Sequence, residues 1–148
     1  MNRKTKVVFK DYIEIDNHKY YVDGKKVVLE PSKKEIRLAL WLSKKLSTEI
    51  VVLPRIKQPE GIKTSDYLIY GEKWDLKEIF SNRNDAAYNR IRRYKDQASN
   101  FIIDISNSKL TMKATKDQVV DLYQHKNYRW LNKIIIKKNN ELEFVFRK

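Results

Sequence analysis

The chain has 148 residues, with 32 Lys and Arg against 19 Asp and Glu, a formal charge of +13, and no cysteine. That length suits a single small globular fold rather than a disordered or membrane chain. The positive surplus favours a polyanion such as nucleic acid as partner. The missing cysteines exclude disulfides, thiol catalysis and cysteine–zinc sites. With only two histidines, His18 and His125, any metal would be held by carboxylate oxygens, which suits Mg²⁺ or Mn²⁺.

The first residues are basic, but no apolar run of useful length follows, so neither a signal peptide nor a membrane span is expected. Residues 7 to 29 read as short strands: Val7–Phe9, Tyr12–Ile15, Lys19–Val22 and, after an Asp23-Gly24 hairpin signal, Lys26–Leu29. They are expected to form an N-terminal β appendage, residues 1–30, ahead of a main domain over 31–148. Pro31 and Ser32 open a helix from about Lys33 to Leu46, with Ser32-Lys33-Lys34-Glu35 as a capping box. Its apolar stripe is expected at Ile36, Ala39, Leu40 and Ser43, with Leu42 and Leu46 at the edge.

A strand over Glu49–Leu53 stops at Pro54, and a basic loop runs from Arg55 to Thr64. Asp66–Tyr70 and Lys73–Ile79 then form a hairpin turning at Gly71-Glu72. A helix is predicted over Asn84–Ala98, with Ala87, Ile91, Tyr94 and Ala98 inward. Phe101–Ile105 is a buried strand, Thr115–His125 a third helix, and Ile134–Ile136 with Leu142–Phe146 a final hairpin around Asn139-Asn140. Alternating elements of this kind predict a mixed α/β sheet covered by helices.

Strand side chains alternate faces, so Asp75 and Lys77 share one face of their strand, and Asp66 at the start of the partner strand falls roughly opposite them. Two carboxylates and an ammonium at one hairpin end are the groups that phosphodiester hydrolysis needs. The acids would hold one or two hard cations, the Leu76 backbone carbonyl can add an oxygen, and the lysine orients water or stabilises charge. The plainer alternative is a cross-strand ion pair of small value.

Glu35 has two open roles, helix cap or an acid leaning into that site. Arg90, Arg93 and Gln97, with Tyr94 beside them, form a flank suited to gripping phosphates. In the preceding loop, Lys63 and Thr64 stand nearest the acids. His125 reads as a helix-end residue.

This pattern resembles the PD-(D/E)xK nuclease superfamily, with Asp66 as the first motif acid and Asp75-Leu76-Lys77 as the (D/E)xK triplet. One departure is Ser65 where that superfamily has proline. The order from Lys33 to Ser106 is similar to its αβββαβ, restriction-endonuclease-like core, followed here by a C-terminal helix and hairpin.

From Ser32 to about Ile136 the sequence looks more closely like the C-terminal nuclease toxin domains of contact-dependent growth inhibition proteins and their phage and mobile-element relatives. The likeness rests on Ser32-x-x-Glu35, Gly61–Tyr67, Trp74–Lys77, Arg90 through Asn100 and Ile102-Ile103-Asp104. It implies a metal-dependent endonuclease, often one that cuts tRNA near the acceptor end, with Glu35, Asp66, Asp75 and Lys77 as its site. It also implies an acidic immunity protein, and action in the cytoplasm of a target cell after delivery by other domains. DNA cleavage on the same fold and a non-catalytic nucleic-acid-binding module are the competing readings.

Overall fold

In a computed structural model, the described residues are 6–15, 17–21, 28–29, 31–56, 64–83, 85–93 and 98–147. Among them the fold is mixed α/β, with a central mixed sheet and three α-helices. No helix is long and apolar enough to cross a membrane. The chain forms two compact units, residues 1–74 and 75–148.

The first unit begins with β1 (Lys6–Phe9), β2 (Tyr12–Ile15), β3 (His18–Tyr21) and β4 (Val28–Leu29), followed by α1 (Lys33–Leu46). It continues with β5 (Glu49–Val52), β6 (Arg55–Ile56) and β7 (Tyr67–Ile69), and the following strand, β8 (Glu72–Glu78), starts in it. β2 pairs antiparallel with β3, and β4 with β6. β1, expected in the N-terminal appendage, instead pairs parallel with β5, Lys6↔Glu49 through Phe9↔Val52. The Asp23-Gly24 turn lies outside the described residues.

Helix α1 is capped as its sequence dictates. Ser32 Oγ accepts the Glu35 N–H at 3.2 Å. At the other end Ser47 turns left-handed at φ 50° and Lys44 and Lys45 face the negative end of the dipole.

The buried stripe of α1 is Glu35, Leu38, Ala39, Leu42 and Ser43, one position away from the expected phase. Leu42 is fully buried while Leu40 is 48 % exposed. Both phases carry apolar residues at helical spacing, and the one that won places an acid on the inward side.

β5, β7 and β8 pair antiparallel, with Tyr67 opposite Trp74. The hairpin turns on Tyr70 and Gly71, at φ 54° and 77°, one residue earlier than expected, because a two-residue turn of this type needs positive φ at both positions.

The second unit carries the rest of β8, then α2 (Ala86–Arg92), β9 (Asn100–Asp104), α3 (Met112–Gln124), a 3₁₀ turn (Lys126–Tyr128), β10 (Lys133–Lys138) and β11 (Glu141–Phe146). β8 pairs parallel with β9, β9 parallel with β10, and β10 antiparallel with β11. Phe101, Ile102, Ile103 and Ile134–Ile136 are all fully buried, as a continuous apolar run in a parallel ladder requires. Of these, Phe101, Ile103, Ile134 and Ile136 pack with Ile91, Val119, Leu122 and Leu131 in one core.

α3 starts three residues earlier than expected because the Thr111 hydroxyl accepts the Ala114 N–H at 3.0 Å. Arg147 ties the chain end down, donating to the carbonyls of Leu131, Tyr123 and Tyr128.

Candidate active site

The charged triplet sits on β8, and it is the strand's charged side that is buried. Asp75 is fully buried and Lys77 is 7 % exposed, whereas Leu76 between them is only half-buried. The Lys77 ammonium lies 3.5 Å from Asp75 Oδ2. Their register partners, Phe101 and Ile103, are both fully buried. Taking two charges out of water costs several kcal/mol per ion, roughly, and the pair's attraction seldom returns more than hydrophobic residues of the same size would. Stability alone is therefore a poor reason for this pair to stand beside the apolar strand β9.

Asp66 is held by its backbone. Its N–H donates to the Trp74 carbonyl at 3.0 Å, and its carbonyl accepts from the Leu53 N–H at 2.9 Å. Trp74 is buried, and Asp75 is the next residue along the chain.

Glu35 takes part in the helix cap with one carboxylate oxygen only. The Ser32 hydroxyl donates to its Oε1 at 3.0 Å, so this end is stapled by a side-chain contact rather than by the carboxylate reaching back to the cap's N–H. Arg55 Nε stands 4.0 Å from the same oxygen. The Tyr67 hydroxyl donates to the Glu35 carbonyl at 2.7 Å. Oε2 is buried and has no hydrogen-bond partner among the described residues. One oxygen serves the helix end and the other remains open to a ligand, so a cap and a metal-facing acid are compatible in one side chain.

The second unit also contains a cavity of about 320 Å³, formed where β8 ends and α2 begins. Arg90 and Arg93, both expected to face phosphate, line it together with Asn89 and Phe80. Ala86, Asn89, Arg90 and Arg93 recur at positions i, i+3, i+4 and i+7, one face of a helix. Asn89 and Phe80 were not singled out in the sequence. The helical spacing would have found Asn89, but nothing local marks Phe80.

Of the remaining expected residues, Thr64 is half-buried ahead of β7. Lys63, Tyr94 and Gln97 lie outside the described residues.

The candidate acids offer hard carboxylate oxygens, as Mg²⁺ or Mn²⁺ requires. Among the described residues no group of three or more His, Asp or Glu side chains is placed to hold a metal ion. A Mg²⁺ site needs only one or two carboxylates, with water filling the other positions. The open, buried oxygen of Glu35 is the observation that favours such a ligand.

Comparison with known proteins gives two matches. The family described as contact-dependent growth inhibition CdiA C-terminal domain matches residues 63–142, more than half of the chain. Among solved structures, the CdiA-CT/CdiI toxin and immunity complex from Burkholderia pseudomallei superposes with a TM-score of 0.66 at 19 % identity, over 95 % of this chain and 98 % of that one. At that identity the likeness is one of fold. No curated protein matches significantly.

Proposed function

The chain belongs to the contact-dependent growth inhibition CdiA C-terminal domain family, and from that premise we propose that it is a toxin domain acting as a metal-dependent endonuclease on RNA, with tRNA as the favoured substrate. The observation that carries this reading is the buried Asp75–Lys77 pair on β8. Asp66 and Glu35 join it in this reading through the sequence resemblance to the PD-(D/E)xK pattern.

In this reading Asp66, Asp75, Glu35 Oε2 and the Leu76 carbonyl would hold Mg²⁺ or Mn²⁺. When bound, the cation supplies Lewis-acid stabilisation of phosphoryl oxygen and acidifies water. Lys77 is kept in place by Asp75 at 3.5 Å. Its ammonium donates hydrogen bonds toward the attacking water or a non-bridging phosphoryl oxygen, and so stabilises charge that grows in the transition state. Arg90 and Arg93 grip flanking phosphates with guanidinium groups. Lys63, Thr64, Tyr94 and Gln97 complete the substrate-binding set.

The formal charge of +13 draws the substrate by long-range attraction that salt weakens. The same charge suits an acidic immunity protein that covers the site.

The test is incubation of the full chain with total RNA, purified tRNA and plasmid DNA in Mg²⁺ or in EDTA, beside Lys77→Ala. The expected result is RNA cleavage that needs the cation and falls by about 100-fold or more without the lysine. Full cleavage in EDTA would overturn the metal mechanism. Cleavage of DNA alone would move the substrate to DNA. Binding of both polymers with no cleavage would leave a nucleic-acid-binding module.

A further inference from the structure

We infer that the aromatic cluster around the 3₁₀ turn after α3 is a second contact surface for RNA. Unpaired bases stack on Tyr88, Tyr128 and Trp130, and phosphates lie along Lys126 and Arg129. That these bases belong to the strand being cut rests on the nuclease reading, but the capacity of the surface to bind unpaired RNA does not.

The turn sets its side chains out in rows, because in a 3₁₀ turn positions i and i+3 stand one above the other. His125 and Tyr128 make one row, with ring centroids 6.2 Å apart. Lys126 and Arg129 share the same spacing beside it, and both are exposed. The turn is also held in place. Arg147 donates to the Tyr128 carbonyl and to those of Tyr123 and Leu131 on either side. A surface fixed before binding loses less freedom on binding.

The rings supply the second argument. Tyr128 meets Trp130 at 5.8 Å and Tyr88 of α2 at 5.7 Å, and Trp130 meets Phe101 of β9 at 6.2 Å. Core filling accounts for Phe101, which is fully buried. It accounts less well for Tyr88, Tyr128 and Trp130, which all keep part of their surface in water. These rings meet at angles from 39° to 76°, so none lies flat on its neighbour. Tilted, partly exposed rings beside cations are what base stacking along a single strand uses. Arg92 adds a positive group 5.7 Å from the Tyr88 ring. Asp121 stands 3.8 Å from His125 Nε2, and the exposed Arg92, Lys126 and Arg129 outweigh its charge.

Position is the third argument. Phe101 is the register partner of Asp75, and paired residues of neighbouring strands share a face. From there Phe101, Trp130, Tyr128 and Tyr88 follow ring to ring toward the surface. An RNA strand held at Lys77 passes its next unpaired bases onto this row. The enzyme then favours a cut with unpaired nucleotides beside it over one inside a stem.

Binding is measured by fluorescence anisotropy over a series of salt concentrations, with the full chain in EDTA, where no metal chemistry takes part. The probes are a labelled oligouridylate and an abasic ribose-phosphate strand of the same length. Each variant is checked for native circular dichroism. Oligouridylate should bind about tenfold tighter than the abasic strand. Trp130→Leu keeps an apolar group and removes the flat face. It should weaken oligouridylate about tenfold and leave the abasic strand and the salt slope unchanged, and Trp130→Phe should recover most of the loss. Lys126→Ala/Arg129→Ala should weaken both strands and lower the salt slope by about 1.4, as two lost phosphate contacts on a single strand require.

Equal affinity for the two strands, a Trp130→Leu chain that binds like wild type, or an unchanged slope in the charge variant overturns the assignment. Should Trp130→Leu fail to fold, crosslinking of an iodouridine-substituted strand to the wild-type chain decides in its place. Adducts on Tyr88, Tyr128 or Trp130 support the surface, and adducts confined elsewhere overturn it. Base-dependent binding without any RNA cleavage would sink the nuclease reading and leave the surface standing. Cleavage without base-dependent binding would do the reverse.

Discussion

Two Lys–Asp pairs in the second unit invite comparison. On α3, Lys113 and Asp117 meet at 3.0 Å with side chains 87 % and 65 % exposed. On β8, Lys77 and Asp75 stand farther apart, at 3.5 Å, with side chains 9 % and 0 % exposed. The closer pair matters less. On the helix surface water screens the attraction and two flexible side chains lose freedom to make it. On the strand each charge has given up its water, so removing either one strips the other of a partner it needs. Burial rather than distance separates an ordinary surface pair from a candidate functional one.

The largest effect should come from breaking the buried pair on one side. Asp75→Ala removes the carboxylate that stands 3.5 Å from the buried Lys77 ammonium, and urea unfolding should show a loss of roughly 3–5 kcal/mol together with loss of cleavage. The sharper version removes both charges. Asp75→Leu/Lys77→Met should recover most of the lost stability without recovering cleavage. A double variant that cleaved RNA would break the functional half of the comparison, and one as unstable as Asp75→Ala would break the energetic half.

Glu35 extends the contrast to an acid with one oxygen engaged and one open. Glu35→Gln keeps a hydrogen-bonding group at the helix end, so unfolding should change by less than about 1 kcal/mol. Cleavage should fall by about 100-fold, equivalent to about 2.7 kcal/mol in the barrier. Equal losses in both measurements would return Glu35 to a capping role alone.

A milder effect is expected from alkali. Burial, reinforced by the neighbouring Tyr88 hydroxyl, pushes the Tyr128 phenol up from its usual 10 to about 12, and burial also raises Tyr123. The folded chain therefore keeps protons that the unfolded chain releases. This contribution to stability is complete below pH 10 and is lost as pH rises from about 10 toward 12. Melting temperature should fall across that window, and Tyr128→Phe should flatten the fall. An unchanged slope in the variant would remove Tyr128 from the account. The smallest effect belongs to the exposed pair, where Lys113→Ala should move stability by no more than about 0.5 kcal/mol.

Much of the fold is readable along the chain because local rules govern it. Ser32 and Thr111 start helices with their own hydroxyls. Ile102 and Ile103 continue an apolar run that suits a strand buried on both faces, and Asp75 and Lys77 share a face because strands alternate. Other features escape local rules. α1 could bury either of two phases, and only packing decided for Leu42 over Leu40. The parallel pairing of β1 with β5 joins segments some forty residues apart, which no neighbouring residues announce. Phe80 belongs to a cavity only because β8 ends where α2 begins.

By itself, then, the sequence determined the chemistry this chain has to offer: a basic, cysteine-free domain, the order of its elements, and an acid–lysine pair set two residues apart on one strand. Side-chain type, charge and backbone period are properties of the chain and need no partner. Only the tertiary structure decided that this charged face would be the buried one, that one Glu35 oxygen would stay without a hydrogen-bond partner among the described residues, and that Arg90 and Arg93 would line one cavity with Phe80. Burial and proximity are relations between distant segments, and they exist only once those segments have packed.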